Sequence, residues 1–292
     1  MAVQTADNTK AIVDKALSAV GDLATLPEVT IKIIEIVENA KSTARDLHGV
    51  IKNDPALSVK ILKVVNSAFY GLPGQVASVD RAIILLGLSA VKNIAIAASI
   101  ARLFKGKRIS EQFTAADLWR HSLAVAVSAR TIAKLSPHPV MADEVFVAGL
   151  IHDIGTLIER QSFPEQFAEV ISHCAESGAN FLATERRIIG ADHQAFGVGL
   201  TTKWKFPRHL RAAVGFHHNP EALSVELRNM ATLIRMADVL CCQEKTGFHL
   251  TAQNESVTDQ MLDTISITRE QLDSVRDTLS EQVAEAEATL TG

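Results

Sequence analysis

Aromatic side chains are scarce in this chain. They make up 5% of it, with one tyrosine and two tryptophans, so the interior must be filled by aliphatic residues and alanine. Cysteine is almost absent as well. Cys174, Cys241 and Cys242 are an odd set without framework spacing, which excludes a disulfide scaffold and fits reduced thiols in buried helical core. No stretch is apolar for long enough to span a bilayer: the most apolar run, 90–101, is interrupted by Lys92 and Asn93. The N-terminus lacks the basic-then-apolar pattern of a secretion signal. Excess positive charge is missing too, and a net charge of -4 leaves no polybasic footprint for nucleic acid or an anionic membrane. Together these absences predict a cytoplasmic protein without a membrane partner. They disfavour a nucleic-acid partner, whose only support is the basic turn Lys105-Gly106-Lys107-Arg108.

What is present is helical. Alternation of polar and apolar residues is rare, while spacings of three and four recur. Val29, Ile33, Ile36 and Val37 form a stripe after Pro27, and Asp54-Pro55 opens a helix with Leu57, Ile61, Leu62, Val64 and Val65 on one face. Ser78 caps a short helix that Gly87 breaks, and 89–104 reads as a buried helix. Further helices are predicted over 115–135, 141–159, 164–176, 180–190, 192–203, 208–217, 223–245, 258–264 and 269–290. The fold class is therefore all-α, a multi-helix bundle in two lobes. The lobes are expected at 1–106 and 107–250, with the basic turn as boundary and a helical extension at 251–292. In the last helix Leu272, Val275, Leu279, Val283, Ala286 and Leu290 make a heptad-like stripe. Three heptads are marginal for a free coiled coil, so the stripe packs on its own domain or on a second copy in a homodimer.

Seven polar residues interrupt the apolar C-terminal half: His121, His152, Asp153, His193, His217, His218 and Asp238. The sharpest piece is Ala148-Gly149-Leu150-Ile151-His152-Asp153-Ile154-Gly155, a histidine and a carboxylate inside a core-like segment. An ionised aspartate is costly there unless a metal ion or several basic groups pair with it. Imidazole and carboxylate donors suit iron, manganese, nickel or zinc, and helix bundles build such centres from inward side chains. Asp153 is the natural bridge if the centre is dinuclear rather than mononuclear, and paired ions about 3.5–4 Å apart activate water and clamp phosphoryl groups. Asp117, one turn before His121, is an additional ligand, a group that orients that ring from behind, or a solvated helix N-terminal acid. Each histidine alone is weak evidence, because a lone helical histidine is usually structural. Arg120, Arg186 and Arg187 are candidate phosphate contacts or ordinary solvated residues.

The order His121, His152-Asp153, Asp238 resembles the HD superfamily of metal-dependent phosphohydrolases, and His193 with His217-His218 resembles the histidines of its HD-GYP branch. The whole chain is most similar to the HDOD family, the HD-related output domains of bacterial signalling. Leu26-Pro27-Glu28-Val29, the run from Asp54 to Leu62, Val65-Asn66-Ser67-Ala68-Phe69-Tyr70-Gly71 and Trp204-Lys205-Phe206-Pro207 carry that resemblance. It implies an all-α fold with an HD-like C-terminal lobe and a signalling role through a protein partner or small signalling ligand. Two departures weaken a hydrolase reading. Thr156 stands where many active HD enzymes have a lysine, and His217-His218 is followed by Asn219-Pro220-Glu221-Ala222, not by a Gly-Tyr-Pro motif. The resulting expectation is a non-enzymatic regulatory module. The alternative is a metal-dependent phosphohydrolase or phosphodiesterase with Asp153 and His152 at its catalytic core and a mono- or dinuclear transition metal.

Overall fold

In a computed structural model of the chain, no strand occurs among the described residues, which are 2–21, 26–38, 41–67, 70–104, 113–138 and 142–291. The basic turn, Ala68, Phe69 and the Val37 side chain lie outside them. The first half gathers α2 (Glu28–Glu38), α3 (Ala44–Ile51), α4 (Pro55–Val65) and α5 (Val79–Leu86) around α6 (Leu88–Ile100). Burial of every residue from Ala90 to Ile100 explains why α6 is apolar all round. Local chemistry starts the shorter helices. The Asp54 carboxylate accepts from the Leu57 amide at 2.9 Å, with Pro55 in the first turn, and the Ser78 hydroxyl accepts from Arg81 at 3.2 Å. Helix α3, unread in the sequence because only Leu47 and Ile51 of its eight residues are buried, starts at a Thr43–Asp46 capping box. Asn66 is spent on backbone: it accepts from Val76 N at 2.6 Å and donates to the Leu62 and Val76 carbonyls.

In the second half α7 (Ala115–Leu135) is the axis. Against it pack α8 (Ala142–Ile151), α14 (Val225–Gln243) and α16 (Arg269–Thr291). Helices α9 (Gly155–Ser162), α10 (Pro164–Ser177), α11 (Phe181–Ile188), α12 (His193–Lys203) and α13 (Arg208–Phe216) close the other side, and α15 (Asp259–Ile265) lies on α14. The halves are tied by α6 against α8 and by α16 against α4. The first helix, α1 (Ala2–Ala19), reaches across to α9 and α12 and buries Val13, Ala16 and Leu17. All six stripe residues of α16 are buried inside the chain. The face offered either to its own domain or to a second copy is therefore covered from within.

The predicted helix 141–159 is instead two helices broken at 152–154. Tertiary packing decides this, because nothing in the local sequence forbids a continuous helix. A Cβ on Gly149 would sit 2.5 Å from Cα of Ala126 in α7, and one on Gly155 would overlap the His193 carbonyl oxygen and the Gly197 amide nitrogen of α12. The two glycines that flank His152-Asp153 thus allow two other helices to approach the break at backbone contact. Gly155→Ala should lower the unfolding free energy by about 2 kcal/mol or more in urea titrations, as overpacking does. Gly49→Ala, in α3 with nothing within 4 Å of the added carbon, should be neutral or stabilising by up to about 1 kcal/mol.

Candidate metal centre

The break between α8 and α9 presents the Asp153 carboxylate to three other helices. Its Oδ2 lies 3.3 Å from Nε2 of His152 and 3.7 Å from Nε2 of His121 on α7. Its Oδ1 lies 3.3 Å from Nε2 of His193, the first residue of α12, and 3.4 Å from Nε2 of His217, just beyond α13. Oδ1 of Asp238 on α14 is 3.3 Å from Nε2 of His121. His218 places Nε2 3.1 Å from Nε2 of His193. All seven residues expected from the sequence therefore meet in one cluster. Six of them have 0% exposure, and only His218 is partly exposed.

The rings are aimed by their outer nitrogens. Nδ1 of His152 donates to the Gly149 carbonyl at 2.7 Å and Nδ1 of His217 to the Val214 carbonyl at 2.9 Å. Nδ1 of His193 donates to the Glu185 carboxylate at 2.9 Å. Each bond directs Nε2 inward, the arrangement in which metal-bound imidazoles are held. Inside, hydrogen bonding is incomplete. Both oxygens of Asp153, Nε2 of His152 and both ring nitrogens of His121 are buried without a hydrogen-bond partner. Buried polar atoms are rarely left so, and five in one cluster call for an occupant. Donors each about 2.1 Å from a common ion stand about 3.0–3.4 Å apart in tetrahedral or octahedral geometry. The separations of 3.3–3.7 Å around Asp153 are near that range. Four overlapping groups of these side chains could hold an ion.

Electrostatics favour the cation-binding form of the two carboxylates and of His217, whereas at His193 burial is outweighed by the Glu185 and Asp153 charges, which raise its pKa to about 10, so an ion there must displace a proton. Burial alone would lift the Asp153 pKa, but His152 and His193 hold it well below the ordinary carboxylate range. Asp238 is likewise lowered: burial opposes this, and the adjacent His121 and His152 imidazoles outweigh it. Burial pushes His217 down to about 4, so its inner lone pair is free at neutral pH.

Four contributors escaped the sequence reading. Glu185 sits in a charged stretch that reads as surface, yet it is fully buried behind His193. Glu159 is buried beside it, with neither oxygen hydrogen-bonded. Arg235, three residues before Asp238 on the same helical face, is 3% exposed and bonds Asp238 Oδ2 at 3.3 Å. Cys242, one turn after Asp238, places its thiol 3.3 Å from Asp238 Oδ1 within a His121–Asp238–Cys242 group. A cysteine thus borders the cluster, contrary to the expectation of buried core alone. Asp117 turns the other way: its carboxylate accepts from the Thr114 hydroxyl at 2.6 Å, as a helix N-terminal acid does. Arg186 pairs with Asp192 at 2.6 Å, and Arg120 and Arg187 are exposed. The Thr156 hydroxyl is buried without a partner.

The model of the HDOD domain matches residues 23–220. The chain belongs to the HDOD domain family. Asp238 lies past the matched span. An HDOD domain protein of unknown function from Geobacter sulfurreducens superposes with a TM-score of 0.80 at 21% identity, covering 97% of this chain and 99% of that one. A Marinobacter aquaeolei VT8 protein, provisionally named for signal transduction, gives 0.78 at 23%, covering 98% of this chain and 66% of that one. A Shewanella amazonensis SB2B protein, provisionally named a phosphohydrolase, gives 0.73 at 23%, over 96% and 98%. At these identities the likeness is one of fold. An uncharacterised protein of Treponema pallidum (strain Nichols) is 22% identical over 220 residues, which are 75% of this chain but 42% of that relative's length. No helix among the described residues is long and apolar enough to cross a membrane.

The buried pair Glu159 and Glu185 has a pH signature. Burial first, and the neighbouring Glu185 charge second, push Glu159 well above the ordinary glutamate range. The folded state therefore keeps a proton that the unfolded chain releases above about pH 4.3, and stability falls as pH rises beyond that point. Glu159→Gln, which is neutral at every pH, should flatten this decline and leave the variant at least as stable as wild type at pH 8 in urea titrations.

Proposed function

We propose that this chain is a regulatory HDOD module whose C-terminal half is organised around a buried transition-metal centre, and that it relays a state to a protein partner or a small signalling ligand without turnover. The burial of the cluster carries this reading. With His121, His152, Asp153, His193, His217 and Asp238 at 0% exposure, a phosphate ester has no access to Asp153 in this conformation. His121, His152, Asp153 and Asp238 would hold one ion, with His193 and His217 around the other Asp153 oxygen for a second. Iron, manganese, nickel or zinc suits these donors. A protein of the same fold is provisionally named for signal transduction, and the apolar side chains of Val59 and Ile84, 67% and 71% exposed on α4 and α5, support a protein partner at the N-terminal half. In this reading the chain works as two lobes, 1–106 and 107–250, with 251–292 as a bracing extension, in a reducing cytoplasm.

A second reading, metal-dependent phosphohydrolysis, is favoured by the unsatisfied Asp153 oxygens. When bound, the metal would supply Lewis acidity and an activated water. Asp153 and His152 would orient the reacting groups, and α12 or α13 would have to move to admit a substrate. One experiment separates the readings. Elemental analysis of protein purified without an affinity tag should find one or two equivalents of a transition metal in wild type and none in His152→Ala/Asp153→Ala. No metal in wild type would overturn both. Metal together with steady hydrolysis of bis(p-nitrophenyl) phosphate, lost in the double variant, would replace the first reading by the second.

A further inference from the structure

His218 differs from the other imidazoles of the cluster in how its outer nitrogen is used. Its backbone N–H donates to Oε1 of Gln194 at 3.2 Å, which fixes the residue at the mouth of the cluster. Its Nδ1 faces Nη1 of Arg235 at 2.6 Å. A guanidinium has only donors, so Nδ1 of His218 must be the acceptor, and the ring carries its proton on Nε2. His152, His193 and His217 show the reverse, with Nδ1 donating outward and Nε2 directed in. Arg235 is not free to release His218. It is 3% exposed, bonds Asp238 Oδ2 at 3.3 Å and forms an ion pair with Glu255. Swinging it away would strand a guanidinium inside the protein and leave carboxylates without their cation.

We propose that His218 serves the centre as a hydrogen-bond donor whose tautomer Arg235 imposes, and that it is not a metal ligand. This rests on the reading of the cluster as a metal centre. The two halves of the centre then differ. Around Oδ2 of Asp153 stand His152 and His121, with Asp238 beside His121, a full set of protein donors. Around Oδ1 stand His193 and His217, with His218 in the same group but with its Nε2 carrying a proton. The second half is therefore one protein donor short. The place that His218 would have filled faces an N–H instead, 3.1 Å from Nε2 of His193; at the partly exposed edge of the cluster, and once an ion occupies His193, that N–H suits a small oxyanion such as inorganic phosphate. A first ion is held tightly, and a second is held weakly until an oxyanion joins it.

Two measurements test this. In metal-free protein labelled with 15N-histidine, long-range 1H–15N correlations should show Nδ1 of His218 unprotonated and Nε2 protonated. Its signals are identified by their loss in His218→Gln. A proton on Nδ1 would overturn the proposal. In the second measurement, wild type, His218→Gln and His217→Gln are titrated with Mn2+, with and without inorganic phosphate. Glutamine can accept from Arg235 and donate inward but is a poor ligand, so His218→Gln should keep the wild-type number of ions, with affinity changed by no more than about tenfold. His217→Gln should lose the second ion, and phosphate should tighten that ion in wild type. Loss of an equivalent in His218→Gln, matching His217→Gln, would make His218 a ligand and overturn the proposal. If wild type takes up no Mn2+ at all, the metal reading fails, and the role of His218 is decided by the tautomer alone.

Discussion

A carboxylate is held in the core of this protein, and most of its second half is arranged around that fact. An ionised group away from water costs several kcal/mol unless partners surround it. Asp153 has no exposure, and its neighbours come from α7, α12, the end of α13 and its own helix break. The flanking glycines let those backbones close in. The outer hydrogen bonds that the rings donate to Gly149, Val214 and Glu185 turn each ring toward the same point. Burial and polarity, which oppose each other elsewhere, are reconciled here by geometry that leaves several lone pairs facing one small volume.

Much of this was legible in the residues. The all-α class followed from spacing, and the seven polar residues stood out because their surroundings are so apolar. Their convergence was not derivable from spacing, since the cluster spans 121–238 and joins through tertiary packing; resemblance of order supplied that step. The break at 152–154 was missed because it is imposed by contacts with α7 and α12 and not by a local stop signal. Glu185, Arg235 and Cys242 were missed for a shared reason. A charged residue or thiol on a helix reads as surface or core by composition, and only the fold shows that it backs a ring or a carboxylate. Asp117 illustrates the converse: helical spacing put it behind His121, but capping chemistry with Thr114 claimed it first.

The C-terminal helix connects these local facts to the whole. By packing on both α7 and α4, α16 braces the helix that carries His121 against the helix that carries the exposed Val59. Loop chemistry adds a second brace: Phe248 N donates to the Asp117 carbonyl at 3.0 Å, and a Cβ on Gly247 would sit 2.6 Å from the His121 amide nitrogen. A displacement at either end of α7 would thus be felt at His121 through packed backbone, without any intervening flexible segment.

The position of α1 has a kinetic consequence. The Thr9 hydroxyl meets the Gly190 carbonyl 181 positions away, and Gly190 lies so close to Ile12 that an added Cβ would meet its side chain at 2.7 Å. During synthesis α1 leaves the ribosome well before its docking surface, because α9 and α12 emerge more than a hundred residues later. At about 5–20 residues per second the helix waits for many seconds with Val13, Ala16 and Leu17 uncovered. Contacts of such sequence separation also slow folding, because their loop must close before they contribute. A helix made long before its partners is thereby among the last to find its place, and the two halves of the molecule cannot be completed one after the other.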